Sequence, residues 1–484
     1  MTVYLVGAGP GDPGLITAKG LELLKIADAI VYDRLANSEL LKSAKASAVL
    51  IAAGKSPGSV DLTQDQTNDK LIELGKKFDC VVRLKGGDPY VFGRGGEEAQ
   101  ILIDNKIDFE VVPGITSAIA SLAYAGVPIT QRGVATNFTI VTGHEDPTKP
   151  AEQVKWADLA KIEGTIAVLM GVANRGSIAS SLIEGGKNPD TPVVIVRNGT
   201  TNDQHTLRTT LAELGAVEAN NPSIIAIGEV ASLDLKWFEI RPLLGKSVVV
   251  TRAREQQSEV TKSLSELGAK VVEAPSIKIE PIDFDIPDLQ NVSYVIFTST
   301  NGVHITMERL NNVGVDSRYF ANSSIAAIGD ATAGALRDYG IIADIVPSRF
   351  VAEELVEMFP DAEEDSANIV CFRASSVRDA LEIGLTKKGY HLTNIDVYDT
   401  LIADVDDETI EQVKNADAIT FASSSTVQNA IKLFGHEVVQ GIPVKVSIGP
   451  VTSKTMRDNN IEPSCEADPH TIDGVVAALL KVVK

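Results

Sequence analysis

The chain repeats one device from its first residues onward: a short apolar run, a tight loop, then a helical stretch. Val3–Gly9 is rich in β-formers and ends in glycine. From about Thr17 a helical pattern follows, with Leu21, Leu24 and Ile26 available for packing. Ala29–Asp33, Val49–Gly54 and Cys80–Leu84 are further short apolar strands. This alternation predicts an α/β class built from layers with largely parallel sheets. Ligand sites in such sheets lie beyond the carboxyl ends of the strands, so the loops that follow each apolar run are where chemistry is expected. At 484 residues the chain is also too long for one core, and the length prior is ~3 domains.

A new strand opens near Gly245, at KSVVVTRA. The segment before it, Trp237–Leu244, is short and fairly apolar, unlike a Gly/Ser tether. Beyond it the sequence repeats itself. FTSTNGV (297–303) matches FASSSTV (421–427), AIGDATAGALRDYGI (327–341) matches SIGPVTSKTMRDNNI (447–461), and TRA (251–253) matches FRA (372–374). Each copy reads as strand, hydroxyl-rich loop and helix. Two similar α/β lobes are therefore expected in the second half.

Charge narrows the partners. The net charge is −21. Residues 1–244 hold 23 basic and 29 acidic side chains, and residues 245–484 hold 21 and 36. Such a surface repels nucleic acid and anionic membrane. No apolar run reaches the ~20 residues of a membrane helix, and MTVYLVGAG lacks the features of a signal peptide. Three cysteines, Cys80, Cys371 and Cys465, are few and far apart. They suggest a reducing compartment and neither a disulfide framework nor a metal site. The expectation is a cytoplasmic protein.

Three strings of the first half carry chemistry. VGAGPGDPGLIT (6–17) lets backbone come close to a ligand at Gly7 and Gly9. It lacks the third glycine of a dinucleotide fingerprint, having Asp12 there and Pro10 as an interruption. LKGGDPYVFGRGGEE (84–98) follows a strand, so it falls on the expected ligand edge. Gly86 and Gly87 permit close approach, and Asp88 is an acceptor for ribose hydroxyls or a cationic group. No Lys-Ser/Thr pair ends it, which excludes a P-loop. In VVPGITSAIASLAYAGVPIT (111–130), Thr116 reads as a helix cap after the Pro113-Gly114 turn.

Taken together, these strings resemble the uroporphyrinogen-III C-methyltransferases of the tetrapyrrole methylase family. The resemblance spans about residues 1–240. It extends to Tyr32-Asp33, Gly54-Lys55, TGH (142–144), Met170-Gly171 and Asn198-Gly199-Thr200. It implies two α/β lobes with S-adenosylmethionine in the cleft, S-adenosylhomocysteine as product, and a homodimer. The implied cofactor contacts are Pro10, Gly86, Gly87, Asp88, Val91, Thr116, Ser117, Met170 and Gly199. The family often has alanine where this chain has Ser117. By the same resemblance Asp33 is the proton acceptor and Lys55 the proton donor. Arg34, Arg94 and Arg132 are further candidates for the substrate's carboxylates, by forked ion pairing.

Hydroxyl-rich loops stand out in the second half: Thr298-Ser299-Thr300, Ser375-Ser376, Ser423-Ser424-Ser425 and Gly449-Pro450-Val451-Thr452. They are suited to hydrogen-bond carboxylates, or simply to cap helices. The set of TRA, FTSTNGV, VYDT (397–400), FASSS and IGPVT resembles uroporphyrinogen-III synthase over about 245–484. That resemblance implies two lobes joined by a two-stranded connector. The strand near 247–253 would pack with the region after 400, and the middle segment would form the other lobe. It also implies that Tyr398 assists loss of the substrate hydroxyl, with Thr452 and Ser423 as binding candidates.

The expected protein is a bifunctional enzyme of small tetrapyrroles. One half closes hydroxymethylbilane to uroporphyrinogen III. The other methylates that product twice, giving precorrin-2 for sirohaem or cobalamin. A polycarboxylate substrate must then be met by local basic clusters, because the net charge opposes it. Two other readings stay open: a methylase for a later corrin intermediate, and a C-terminal half that only binds tetrapyrrole.

Overall fold

The computed structural model describes residues 1–54, 62–144, 154–251, 258–347, 352–362, 367–375 and 380–483. The described chain divides into two compact units. One is Met1–Lys246 with Glu266–Lys270, and the other is Ser247–Ser265 with Val271–Lys484.

The first unit contains two five-stranded sheets. Strands β1 (Thr2–Gly7), β2 (Ala29–Asp33), β3 (Val49–Ala53), β4 (Cys80–Lys85) and β5 (Asp108–Val112) form the first, in the order β3-β2-β4-β1-β5. Every pairing in it is parallel. A parallel sheet is covered on both faces, and period-two alternation assigns the residues. Val3, Leu5, Val31 and Val81 pack with Leu71, Leu74, Ala99 and Leu102 of the helices Gln64–Gly75 and Gly95–Asp104. Val6, Ile30, Val82 and Leu84 pack on the other face with Leu23 and Leu24 of the helix Ala18–Ile26. Local signals start these helices where they do. The Thr17 hydroxyl accepts from the Gly20 amide at 3.1 Å, and Thr63 and Gln66 form a reciprocal capping box.

The second sheet holds β6 (Phe138–Thr142), β7 (Thr165–Leu169), β8 (Pro192–Arg197), β9 (His205–Thr210) and β10 (Ser223–Ile227), ordered β6-β7-β10-β8-β9. Here the expectation of largely parallel strands fails. Only β6 and β7 pair in parallel; β7–β10, β10–β8 and β8–β9 are antiparallel. The reason is loop length. Seven residues separate β8 from β9, too few for the helical crossover that a parallel connection needs. The helix Ser117–Tyr124 leaves β5 of the first sheet but packs Ala118 and Leu122 against Ala167, Val194 and Ala226 of the second. It ties the two sheets into one unit.

The second unit also holds two five-stranded sheets, and the chain crosses between them twice. It begins with β11 (Ser247–Val250) and β12 (Lys270–Glu273). It then builds β13 (Ile277–Pro281), β14 (Val292–Phe297), β15 (Ser324–Ala327), β16 (Asn368–Ala374) and β17 (His391–Ile402). Finally it returns with β18 (Ala418–Phe421), β19 (Val444–Ser447) and β20 (Cys465–Glu466). The sheet orders are β12-β11-β18-β19-β20 and β13-β17-β16-β14-β15. Val248–Val250 pairs in parallel with Ala418–Thr420, so the opening strand does join the region after residue 400. The antiparallel pair of β13 with the end of β17 supplies two strands between the lobes.

The internal repeat is physical. Ser299 caps the helix Thr300–Asn312 and Ser423 caps Ser424–Phe434, each in extended backbone and each accepting an amide three residues on. Gly329 and Gly449 stand at the N-caps of the next two helices with φ of 178° in both. Arg252 and Ala253 of the TRA string lie outside the described residues.

Candidate active sites

The loops after β1, β4 and β5 converge at the carboxyl edge of the first sheet. Gly9 and Gly87 exchange backbone hydrogen bonds, Gly9 N–H to Gly87 O at 3.2 Å and Gly87 N–H to Gly9 O at 2.7 Å. Gly114 sits so close that a Cβ on it would lie 2.2 Å from Gly87 O and 2.7 Å from Gly7 Cα. Glycine is required there because three backbones touch. Gly87 itself differs. Its φ is +68°, and a Cβ on it would meet nothing nearer than Thr116 Cα at 3.8 Å and Ser117 N at 4.0 Å. A small open cradle thus lies between Gly87 and the start of the helix Ser117–Tyr124, whose first amides favour electron-rich groups.

Asp88 organises this cradle. Its Oδ1 accepts from the amides of Tyr90 (2.8 Å) and Val91 (3.1 Å), and its Oδ2 from that of Gly114 (3.0 Å). A carboxylate has about four acceptor positions, so one remains for a ligand. Thr116 is buried and caps its helix, its hydroxyl accepting from Ala118 N–H at 3.4 Å. The loop after β8 joins from the second sheet. The Asp12 amide donates to the Thr200 hydroxyl at 3.0 Å, and the Tyr124 hydroxyl donates to Asp12 Oδ2 at 2.7 Å. Gly199 lies against Ser121, where a Cβ would come within 2.2 Å of Oγ. Pro10, Gly86, Gly87, Asp88, Val91, Thr116, Ser117 and Gly199 therefore stand on loops in direct contact with one another. Met170 follows β7 with a φ of +56° and a half-exposed side chain.

Asp33 ends β2 and is bound to a charged cluster that the sequence reading missed. Arg83 Nη2 lies 2.5 Å from Asp33 Oδ1, and Arg83 Nε donates to Glu98 Oε1 at 3.0 Å. Lys85 Nζ donates to the same Glu98 oxygen at 3.0 Å. The side chains of Arg83, Lys85 and Glu98 are 4%, 2% and 0% exposed, against 29% for Asp33. Residues 81, 83 and 85 share the sheet face covered by the helix Gly95–Asp104, which is why both cations meet Glu98. Burial, then Arg83, push the Lys85 ammonium below its ordinary range, with Glu98 and Asp33 opposing. Burial also opposes charge on Arg83, but Asp33 and Glu98 together outweigh it and hold the guanidinium protonated. Two basic residues spaced by two inside an apolar strand are the signal that was available.

Lys55 lies outside the described residues. Arg34 and Arg132 are exposed. Arg94, also exposed, forms a two-bond ion pair with Glu97 at 3.0 and 2.7 Å.

In the second unit, Tyr398 of β17 packs its ring among Phe297, Phe372 and Val397 and is only 7% exposed. Its hydroxyl is 2.9 Å from Ser299 Oγ, which also accepts from Gly302 N–H at 3.0 Å. The Ser375 hydroxyl bonds the Asp399 carboxylate, and the Ser375 amide donates to Tyr398 O at 3.0 Å. Tyr398, within β17, thus meets Ser299 and Ser375 beyond the ends of β14 and β16. In the other lobe Ser423 Oγ is 2.8 Å from Ser425 Oγ, and Thr452 is buried. Ser376 lies outside the described residues. No described helix is long and apolar enough to cross a membrane.

Known proteins share both halves. The family of tetrapyrrole (corrin/porphyrin) methylases matches residues 2–215, and that of uroporphyrinogen-III synthase HemD matches 258–477. A porphyrin biosynthesis protein HemD from Ruminiclostridium josui is 35% identical over 99% of this chain and 98% of its own. This chain belongs to the same family, a uroporphyrinogen-III C-methyltransferase fused to a uroporphyrinogen-III synthase. An S-adenosyl-L-methionine-dependent uroporphyrinogen III methyltransferase from Methanosarcina barkeri is 50% identical over 48% of this chain and 92% of its own. Among solved structures, the uroporphyrin-III C-methyl transferase of Thermus thermophilus complexed with S-adenyl homocysteine is 38% identical. It covers 48% of this chain and 98% of its own, with a TM-score of 0.42.

Proposed function

We propose that residues 1–240 of this fused enzyme methylate uroporphyrinogen III twice, giving precorrin-2, and that residues 245–484 make that uroporphyrinogen III from hydroxymethylbilane. The observation that carries the first part is the open cradle at Gly87, edged by the Asp88 carboxylate and the amides of Thr116 and Ser117. Its donor set fits S-adenosylmethionine: backbone amides, a carboxylate with one free acceptor position, and the half-exposed Met170 side chain. When bound, that cofactor supplies an electrophilic methyl group.

The protein's part is alignment and proton removal. The Asp88 clasp holds the loops after β4 and β5 so that cofactor and macrocycle meet in one orientation, which lowers the entropic barrier. Methylation at a pyrrole carbon forms a C–C bond from the ring's π electrons, and a proton must then leave the macrocycle. Asp33, partly exposed at a strand end, is the acceptor. Lys55 is proposed as donor on the resemblance alone. Arg34, Arg94 and Arg132 are proposed to pair with the substrate's carboxylates.

In the synthase half, the bilane readily loses its hydroxyl as water, so the enzyme's task is to impose one folding of the chain before the last ring closes inverted. Tyr398, with Ser299 beside it, is proposed to hydrogen-bond the departing hydroxyl, and Thr452 and Ser423 are proposed to bind the substrate. We further propose a cytoplasmic homodimer formed through the methyltransferase half, feeding sirohaem or cobalamin.

One experiment tests both halves: anaerobic turnover of hydroxymethylbilane by the full chain, with and without S-adenosylmethionine, read by mass and isomer analysis. Type-III uroporphyrinogen without cofactor, gaining two methyl groups with it, is the expected result. Formation of the type-I isomer alone would remove the synthase assignment, and a product carrying a single methyl group would remove precorrin-2.

A further inference from the structure

We propose that Arg83 and Glu98 are positioning residues for methyl transfer: Glu98, sealed in the core, fixes the guanidinium of Arg83, and Arg83 fixes the carboxylate of Asp33. The inference rests on the reading of Asp33 as the proton acceptor.

The geometry is a chain with one wet end. Glu98 Oε1 accepts from Arg83 Nε (3.0 Å), Lys85 Nζ (3.0 Å) and Gln64 Nε2 (3.2 Å). Arg83 also donates from Nη1 to Val31 O at 3.4 Å, on the strand that carries Asp33. The guanidinium is therefore held at Nε and Nη1. Its remaining arm, Nη2, meets Asp33, the member of the cluster with appreciable exposure.

Stability does not explain the cluster. Taking three charges out of water is expensive, and buried ion pairs replaced by apolar residues of similar volume often leave a protein as stable or more so. Here the compensation is incomplete as well, because the fully buried Glu98 Oε2 has no hydrogen-bond partner among the described residues. Such an arrangement is explained by what it holds. A general base gains when its carboxylate is aimed by a rigid donor, and arginine bonds two acids through a planar fork at fixed angles where lysine offers one flexible nitrogen.

The cluster also sets the sign of the field at Asp33. From β4 it faces the cations Arg83 and Lys85; from the helix Gly95–Asp104 it faces the anion Glu98. Glu97 of that helix acts on Lys85 from further away. The helix Gln64–Gly75 contributes the neutral Gln64 and Asn68, and β3 contributes Ala53. The exposed Arg34 follows Asp33 in the chain, just past the strand end. At Asp33, therefore, two cations face one anion. Removing a cation must favour protonation of Asp33, and removing Glu98 must disfavour it.

The test is steady-state methylation of uroporphyrinogen III by the full chain across pH, in R83Q, E98Q, R83K and D33N. For R83Q and E98Q, kcat falls on the order of tenfold or more while KM for both substrates stays within about twofold. The acid limb of kcat moves to higher pH in R83Q and to lower pH in E98Q, opposite shifts that a general loss of packing does not produce. R83K keeps the charge but not the fork; it shows the lower kcat with the acid limb in place, and it serves where R83Q does not fold. If D33N methylates like the parent, the acceptor reading falls and this proposal with it. Should D33N be inactive while R83Q, R83K and E98Q keep parental kcat, KM and pH limbs, Asp33 retains its role and the positioning proposal is overturned.

Discussion

The carboxylate of Asp88 accepts the amide of Gly114 at 3.0 Å, joining two loops 26 residues apart in sequence. The other oxygen of the same carboxylate closes the turn at Tyr90 and Val91. One side chain thereby shapes both walls of the cradle at Gly87. In Asp88→Asn an amide oxygen can still accept at the turn, but an NH2 group then faces the Gly114 N–H, donor against donor. Losing a charge-assisted bond and leaving a donor unmet costs roughly 1.5–3 kcal/mol. Binding of S-adenosylhomocysteine, measured by calorimetry, is expected to weaken by about 10- to 100-fold. Affinity equal to the parent would mean that the clasp does not shape the site.

Gly114→Ala probes the same junction by volume. The new methyl would lie 2.2 Å from Gly87 O and 2.7 Å from Gly7 Cα, both backbone atoms that have no side chain to swing aside. Relief requires the loops to part, at a cost of about 1–3 kcal/mol. A lower Tm and loss of S-adenosylhomocysteine binding are expected together, with synthase turnover unchanged. Gly96→Ala is the control, since nothing lies within 4 Å of a Cβ there. A normal Tm for Gly114→Ala would contradict the close approach.

The sequence displayed the layers and the loops but not the electrostatics beneath them. Strand and helix alternation is local, so β1 to β4 and the repeated lobes of the second unit were legible. The antiparallel β8–β9 pair was legible only in the shortness of its loop. Resemblance drew attention to Asp33 and Asp88, but Asp88 proved to be already engaged with three amides. Arg83, Lys85 and Glu98 were missed because Cys80–Leu84 reads as an apolar strand, and the acid that neutralises the two cations is 13 residues beyond Lys85 on a helix. Hydroxyl loops carried two readings from the start, carboxylate binding and helix capping, and Ser299 and Ser423 both cap helices.

Cys371 supplies a pH-dependent term. Burial in the core pushes its thiol up to about 12, well above the ordinary thiol range near 9. The folded state therefore keeps its proton between about pH 9 and 12, where the unfolded chain loses it. Stability from this group is complete below pH 9 and declines as pH rises through that window, by at most about 1.4 kcal/mol per unit. Relative to Cys371→Ala, the parent should lose stability more steeply above pH 9 in denaturant titrations. Parallel slopes would show that the thiol ionises equally in both states. At pH 8, iodoacetamide should label the partly exposed Cys465 and spare Cys371 in the native protein.

Tyr398 offers the sharpest test of the synthase half because its two roles predict different outcomes. Its ring is packed in the core, and its hydroxyl meets Ser299 Oγ at 2.9 Å. Tyr398→Phe keeps the packing and removes one hydrogen bond, so its stability cost is about 1 kcal/mol. Ser299→Ala removes the same bond from the other side, and also the cap that accepts from Gly302 N–H. It should therefore cost more stability, by roughly another 1 kcal/mol. If the Tyr398 hydroxyl acts on the departing group of the bilane, Tyr398→Phe lowers the rate of type-III uroporphyrinogen formation far more than Ser299→Ala does. Methylation of supplied uroporphyrinogen III stays at the parental rate in both. If the pair is only structural, the two variants lose synthase activity in the order of their melting temperatures, with Ser299→Ala the worse. Comparing initial rates of type-III product with Tm for the two proteins separates these cases, because chemistry and stability then rank them in opposite orders.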